Sequence, residues 1–164
     1  MANKSLTQEY LKELFEYRDG ELYWKLSRSN VIKVGQKAGY INSNMYLSTG
    51  IDDKLYLNHR LVFLMHYGYL PKYIDHIDGN PSNNKIENLR EVTNSQNCQN
   101  SKKRINNLSG TKGVHWHKKN KKWRVQIKVN GKIKSCGLYV DLELAELVAS
   151  EARNKYHGEY ARHK

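Results

Sequence analysis

The stretch "YIDHIDGNPSNNKIENLREVTNSQNCQN", residues 73–100, decides both the fold and the candidate site of this chain. It contains an Asp-His pair, Asp75 and His76, within a run that holds seven asparagines and few apolar side chains. A surface loop tolerates so many amides but does not require them. A site that binds a hard cation and orients one histidine would use several, because hard cations take oxygen ligands and a neutral imidazole is oriented by hydrogen bonds.

The local pattern of this stretch predicts strand, loop, strand and helix. Residues 73–76 read as the end of a strand, residues 78–80 as a turn, and residues 89–92 as a second short strand. Thr93 and Gln96 have the spacing of a capping box, which places the start of a helix at residue 94. The prediction is therefore a ββα unit over about residues 73–104.

These residue types suit the hydrolysis of a phosphodiester bond. The reaction needs a base for the attacking water and a cation for the charge on the phosphate and the leaving oxygen. His76 supplies the base, and Asp75 with the Asn97 amide oxygen can share one cation. Asn88 can hydrogen-bond backbone groups across the loop and so hold His76. The competing interpretation is that Asp-Gly-Asn and Asn-Asn are ordinary turn residues.

Upstream of this stretch, the sequence predicts two helices and several short strands. Apolar residues recur at helical spacing over residues 5–16, where Ser5 and Gln8 also have capping-box spacing. A turn at 19–20 leads into a strand at 21–25, and residues 52–54 lie between two strands of a hairpin. Residues 59–67 are apolar enough for a buried helix that ends at Gly68. His59 and His66 in this helix are interpreted as packed or hydrogen-bonded rather than catalytic, and no role is assigned to His59.

Downstream, three strands and a helix are predicted after a polar joint at residues 105–111. The strands are "KGVHWH", "KWRVQIKV" and "KIKSCGLY", and Asn130-Gly131 is a strong hairpin signal between the last two. Asp141 then caps a helix that runs to about residue 156. The fold class is therefore α+β, with one domain over 1–105 and a second, of three antiparallel strands plus one helix, over 106–164.

The positive charge of the chain is concentrated in one segment. The net charge is +12, yet residues 92–140 contain no Asp or Glu and hold twelve Lys and Arg, which leaves sixteen basic and sixteen acidic residues elsewhere. Such a patch is typical of phosphate neutralisation. A membrane-surface patch would instead be a basic amphipathic helix, and no apolar run reaches the roughly 20 residues of a membrane helix. With two isolated cysteines and no signal peptide, we expect a cytoplasmic protein.

The residues "DHIDGNPSNNKIENLREVTNSQN" resemble the HNH nuclease motif in the form found in phage and intron homing endonucleases. The similarity extends over roughly residues 5–104, through "LNHRLVFLMHYG" and "GELYWK". It implies that His76 is the general base, that Asp75 and Asn97 are catalytic metal ligands, and that Asn88 is the middle motif position. Asn84 is expected to support the site structurally. Asn97 replaces the last histidine of the HNH letters.

The residues "SGTKGVHWHKKNKKWRVQIKVNGKIKSCGLYVDLELAELVASEARNKYHGEYA" resemble the DNA-binding domain of plant Apetala and ethylene-response factors, which also occurs attached to phage HNH nucleases. In that family, a three-stranded sheet lies in the major groove of DNA. The resemblance places contact positions on the strands. The predicted DNA-binding residues are Lys112, His115, His117, Arg124, Gln126, Lys128, Lys132 and Lys134.

Together these observations predict a metal-dependent endonuclease of the HNH homing type that hydrolyses phosphodiester bonds in double-stranded DNA, nicking one strand. The expected cofactor is one divalent ion, Mg²⁺ with Mn²⁺ as an alternative, and no small-molecule cofactor or membrane partner is expected. We expect a monomer or weak dimer, in the cytoplasm of a bacterial host if the protein is phage-encoded. The alternatives are a DNA-binding regulator with a decayed nuclease domain and an RNA-binding protein.

Overall fold

The computed structural model of this protein describes residues 6–28, 31–101 and 107–162. They belong to two compact units, Met1–Glu91 and Val92–Lys164. Small antiparallel sheets and short helices make up both units, which confirms the predicted α+β class. The predicted domain boundary between residues 105 and 106 lies outside the described residues, so those domain limits stay a prediction. Within the described ranges, no helix is long and apolar enough to cross a membrane.

The first unit begins with a helix and a hairpin. Helix α1 is Gln8–Leu14, and strands β1, Phe15–Arg18, and β2, Glu21–Trp24, pair antiparallel. Thr7 caps the helix by accepting a hydrogen bond from the Tyr10 backbone N–H, whereas the predicted cap Ser5 lies outside the described residues.

The prediction that this helix continues to residue 16 is wrong. Phe15 leaves the helical conformation at φ −127° and ψ 148°, and its ring packs 4.4 Å from that of Trp24. Because Phe15 pairs with Trp24 across the hairpin, strand pairing takes over residues whose spacing also suited a helix.

A second sheet and a buried helix follow. Strands β3, Tyr40–Ile41, β4, Leu47–Ile51, and β5, Lys54–Leu57, form an antiparallel sheet in that order. Helix α2, Asn58–Tyr67, then packs on α1 and ends at Gly68, which has a left-handed φ of 78°. The hairpin around residues 52–54 and the glycine-terminated helix are both confirmed.

The opening stretch supplies the last elements of the first unit. Strand β6, Ile74–His76, pairs antiparallel with β7, Leu89–Glu91, and a 3₁₀ turn at Ile86–Asn88 leads into β7. This pair lies beside the main core of the unit. The core is formed by buried apolar side chains from α1, β1, β2, β4 and α2 together with one from each strand of the pair, among them Leu11, Phe15, Leu22, Val62, Ile74 and Leu89.

The hairpin of β1 and β2 supports the loop between β6 and β7. The Tyr17 hydroxyl accepts a hydrogen bond from the Ile86 backbone N–H at 3.0 Å. Gly20 has a φ of +91°, and a Cβ there would lie 2.8 Å from the backbone nitrogen of Lys85. A side chain at this position would therefore displace backbone rather than a flexible side chain, and only glycine fits the close approach.

The second unit contains the predicted sheet and helix. Strands β8, Val114–His117, β9, Lys122–Val129, and β10, Lys132–Tyr139, are antiparallel with β9 in the centre. Asn130 and Gly131 both have positive φ, as a two-residue type I′ turn requires. The long helix, Leu142–His157, is capped by Asp141 as predicted, and its alanines Ala145 and Ala149 pack on Val114 and Val125.

The short helix α3, Asn94–Asn100, precedes this sheet and belongs to the second unit, and the long helix is therefore α4. Thr93 and Gln96 form the predicted capping box: the Thr93 hydroxyl accepts from the Gln96 backbone, and the Gln96 carbonyl oxygen accepts from the Thr93 backbone. Lys112 contacts the other end of the helix, where its Nζ donates to the carbonyl oxygens of Gln99 and Ser101 at 2.7 Å each.

Candidate functional site

The His76 side chain is buried at the end of β6 and is held by an amide. It is 5% exposed, and its Nε2 lies 3.0 Å from Oδ1 of Asn84, which is itself 2% exposed. Because a carbonyl oxygen only accepts hydrogen bonds, Nε2 is the donor in this contact, and in the neutral ring the lone pair is therefore on Nδ1. The loop therefore selects the tautomer of His76 and fixes the plane of its ring.

Asn88 holds the loop that carries Asn84. Its Oδ1 accepts from the Asp78 backbone N–H at 3.0 Å, and its Nδ2 donates to Asp78 Oδ1 at 3.0 Å and to the Asn83 carbonyl oxygen at 2.8 Å. Burial alone would raise the pKa of Asp78, but hydrogen bonds from the Asn80 backbone and from the Asn83 and Asn88 amides outweigh it and lower that pKa. The many amides of this stretch thus form one network around an ionised carboxylate.

We expect Asn88→Ala to lower the free energy of unfolding by roughly 1–3 kcal/mol, because it removes three partly buried hydrogen bonds that hold the loop. Equilibrium denaturation by urea measures the change. Asn80→Ala is the matched control, since Asn80 is exposed and its side chain accepts one hydrogen bond, from the Ser82 backbone. Equal losses in the two variants would contradict the anchoring role of Asn88.

Asp75 and Arg90 form a buried ion pair across the two strands. The residues are register partners, and Asp75 Oδ2 accepts from Arg90 Nε at 3.2 Å and from Nη2 at 3.1 Å. Asp75 is 8% exposed, so the arginine compensates a charge that would otherwise be costly to bury. The sequence analysis did not identify Arg90, because strand register cannot be read from a single short strand.

The structure brings four of the predicted site residues into one unit and places the fifth in the other. Asp75, His76, Asn84 and Asn88 all lie in the β6–β7 pair and its loop. Asn97 is half-buried on α3, in the second unit. Its sharing of a cation with Asp75 stays a prediction.

Two residues without a predicted role at the site also surround His76. The His59 ring centre is 5.0 Å from that of His76, with the planes at 72°, and Tyr46 lies 5.4 Å from His59 and 6.0 Å from His76. Burial is the main cause that lowers the pKa of His59 to about 3, so His59 is neutral. The sequence signal for this contact was limited to a histidine near the start of an apolar helix.

The sheet of the second unit separates the predicted DNA-binding residues by face. Residues paired across antiparallel strands point to the same face. Val114 and Val125 are paired beneath α4, and His115 with Arg124 therefore lies on the opposite face. Strand alternation adds three more residues to this side. We call it the outer face: His115, His117, Arg124, Gln126 and Lys128.

The other three predicted contact residues do not lie on the outer face. Lys132 and Lys134 pair with Val129 and Ile127, on the side of α4, and Lys134 Nζ is 4.4 Å from the Tyr156 ring centre. Lys112 is bound to the end of α3, where burial is the main cause that lowers its pKa to about 8. Their predicted contact with DNA is untested, but this placement favours structural roles.

Comparisons with known proteins identify a family match for the segment that contains His76. Residues 56–99 match a family model described as HNH endonuclease. Over 99 residues the chain is 39% identical to Protein 3.8 of Escherichia phage T7. The matched segment covers 58% of this chain and 79% of Protein 3.8. The chain belongs to the family of phage T7 Protein 3.8. No solved structure matches this chain.

The matched residues define an HNH endonuclease domain in the middle of the chain. It begins in β5 and includes α2, the β6–β7 pair and most of α3, whereas the sequence analysis predicted an N-terminal domain over 1–105. An HNH domain implies DNA binding and suggests nuclease activity. The Apetala-type assignment of the second unit stays a prediction.

Proposed function

We propose that this protein is a divalent-metal-dependent DNA endonuclease of the HNH homing type that nicks duplex DNA. The observation that carries the proposal is the His76–Asn84 contact within the HNH domain. It prepares Nδ1 of a buried, oriented imidazole to accept a proton. A general base needs a fixed orientation and a ring nitrogen that can take up a proton.

The donor chemistry of the two proposed ligands fits a hard cation. Asp75 offers carboxylate oxygens and Asn97 an amide oxygen, and Mg²⁺ typically takes one or two such protein ligands and keeps several waters. Among the described residues, no group of three or more His, Cys, Asp or Glu side chains is arranged to hold a metal. Asp75 and Asn97 would hold the ion, which neutralises charge on the phosphate and the leaving oxygen when bound.

The chain's own residues supply the proton transfer. A water oxygen attacks phosphorus, the bond from phosphorus to the leaving 3′ oxygen breaks, and His76 Nδ1 takes the proton of the water. The 3′ oxygen takes a proton from solvent. Asn84 accepts from Nε2 throughout and so stabilises the imidazolium that forms, while Asn88 keeps the loop that carries Asn84 in place.

The alternative function is a DNA-binding regulator that does not cut. The ion pair of Asp75 with Arg90 favours it, because an arginine-neutralised carboxylate attracts a cation less strongly. Supercoiled plasmid incubated with the full chain, with Mg²⁺ or with a chelator, separates the two functions. Nicked plasmid that forms with Mg²⁺ and not with the chelator supports the endonuclease. Binding of the plasmid without nicking, with every metal tested, supports the regulator.

We further propose that the outer face of the sheet binds the DNA backbone. We expect Arg124→Ala and Lys128→Ala each to reduce the slope of log affinity against log salt by about 0.9, since each removes one phosphate contact. Lys134→Ala is the matched control, because this lysine lies on the opposite face against Tyr156. The measurement is a salt titration of duplex binding, and equal slopes in all three variants would contradict the outer-face assignment.

A further inference from the structure

His59 is a buried histidine whose hydrogen bonding is incomplete within the protein. It is 6% exposed, and its Nδ1 has no hydrogen-bond partner among the described residues. Buried polar atoms nearly always have a partner, and an unmatched one in a folded protein calls for an explanation. The neighbouring residues of α2, Leu61 to Met65, are all apolar and buried, so an apolar side chain would suit this helix better.

The unmatched atom belongs to a residue in contact with the candidate base. The His59 ring is tilted edge-on to the His76 ring at 5.0 Å. Asn84 shows the same pattern from another element: its Oδ1 contacts His76, and its buried Nδ2 also has no partner in the described part of the chain. Two independent elements thus present unmatched polar atoms on residues that touch His76.

His66, in the same helix, shows what a purely structural histidine looks like here. Its Nδ1 lies 2.8 Å from the carbonyl oxygen of Val62, one turn earlier, and its ring packs edge-on against Tyr17 at 4.5 Å. The local helix therefore satisfies His66, whereas it does not satisfy Nδ1 of His59. The difference points to a ligand beside His76 rather than to a property of the helix.

We propose that His59 is a positioning residue for His76 and that its Nδ1 binds an ordered water in the His76 site. Buried waters typically make about three hydrogen bonds to polar groups that lack other partners. His59 Nδ1 and Asn84 Nδ2 are such groups. The proposal rests on the proposed nuclease function, because it assigns His59 to the orientation of the hydrolytic base.

Four variants of the full chain separate the nitrogen from the ring. His59→Asn keeps a polar atom close to the position of Nδ1, His59→Gln moves it one bond further out, and His59→Phe keeps a ring without nitrogen. His66→Asn is the matched control. We measure single-turnover cleavage at saturating DNA and Mg²⁺, DNA affinity without metal, thermal unfolding, and the side-chain nitrogen NMR signals of His76.

We expect the Phe and Gln variants to cleave roughly 10- to 100-fold more slowly, the usual cost of losing a supporting hydrogen bond, with DNA affinity unchanged. The Asn variant and the His66 control should cleave at close to the rate of the unmodified protein. The His76 signals should show a changed tautomer ratio in the Phe and Gln variants only. If the Phe variant does not fold, the cleavage rates of the Asn and Gln variants test the role of the nitrogen.

Wild-type-like cleavage by His59→Phe, or by His59→Gln, would overturn the role of the nitrogen while leaving the nuclease intact. Equal losses in the Asn and Gln variants would overturn it as well. Absence of cleavage by the unmodified protein would reject the nuclease proposal instead. In that case the NMR signals still test His59, since unchanged His76 signals in every folded variant would reject its positioning role.

Discussion

His76→Ala is expected to slow DNA cleavage by roughly 10²- to 10⁴-fold, the range typical of losing a general base. Alanine removes the imidazole that Asn84 orients to take a proton. DNA affinity should be nearly unchanged, because His76 is buried and the proposed phosphate contacts lie on the sheet of the second unit. Single-turnover kinetics on a nicked-plasmid assay, with binding measured in parallel, test both parts.

The control for this prediction is His66→Ala, since His66 contacts the Val62 carbonyl oxygen and the Tyr17 ring. It should retain cleavage at close to the normal rate. A His76→Ala protein that is folded and cleaves at a near-normal single-turnover rate would sink the assignment of His76 as the base. A loss of DNA affinity parallel to the loss of rate would show that His76 acts in binding.

Asp75→Asn is expected to raise the Mg²⁺ concentration needed for half-maximal cleavage by roughly 10- to 100-fold, more than Asn97→Asp does. The first change removes the one carboxylate proposed to hold the ion, whereas the second keeps an oxygen ligand and adds charge. Calorimetric titration with Mg²⁺ in the absence of DNA gives a second readout that does not depend on turnover.

Arg90→Gln is the informative control for Asp75, because it removes the ion-pair partner and leaves the carboxylate. If Arg90 holds the carboxylate away from the cation, this variant binds Mg²⁺ more tightly; if Arg90 orients it, binding weakens. A metal-bound structure with neither Asp75 nor Asn97 within coordination distance of the ion would reject the shared site.

Local rules in the sequence predicted most elements of the fold. The Thr93–Gln96 capping box, the Asn130–Gly131 turn and the Gly68 helix end were all readable, because each depends on side chains a few residues apart. The end of α1 was not, since Phe15 obeys the helical spacing and leaves the helix only to pair with Trp24. Pairing with Trp24, nine residues away in the sequence, places Phe15 in a strand rather than in the helix.

The sequence predicted which residues belong to the candidate site but not which residues contact them. The amide-rich loop pointed to Asn88 and Asn84, and the structure shows what they hold. The contact of His59 with His76 and the ion pair of Arg90 with Asp75 join residues distant in sequence. Charge alone also failed to separate Lys134 from Lys128, because the face of a strand depends on register.

The close fit of Gly20 against Lys85 has a consequence for transplanting this motif into other proteins. The matched segment, residues 56–99, contains the Asp-His pair and its amides, but the hairpin that shapes the loop lies some forty residues before it. A graft limited to the segment of sequence similarity would contain the candidate site residues but not Tyr17 and Gly20, which support the backbone beside Asn84. The transferable piece of this protein is therefore larger than the segment of recognisable similarity, because it includes the β1–β2 hairpin.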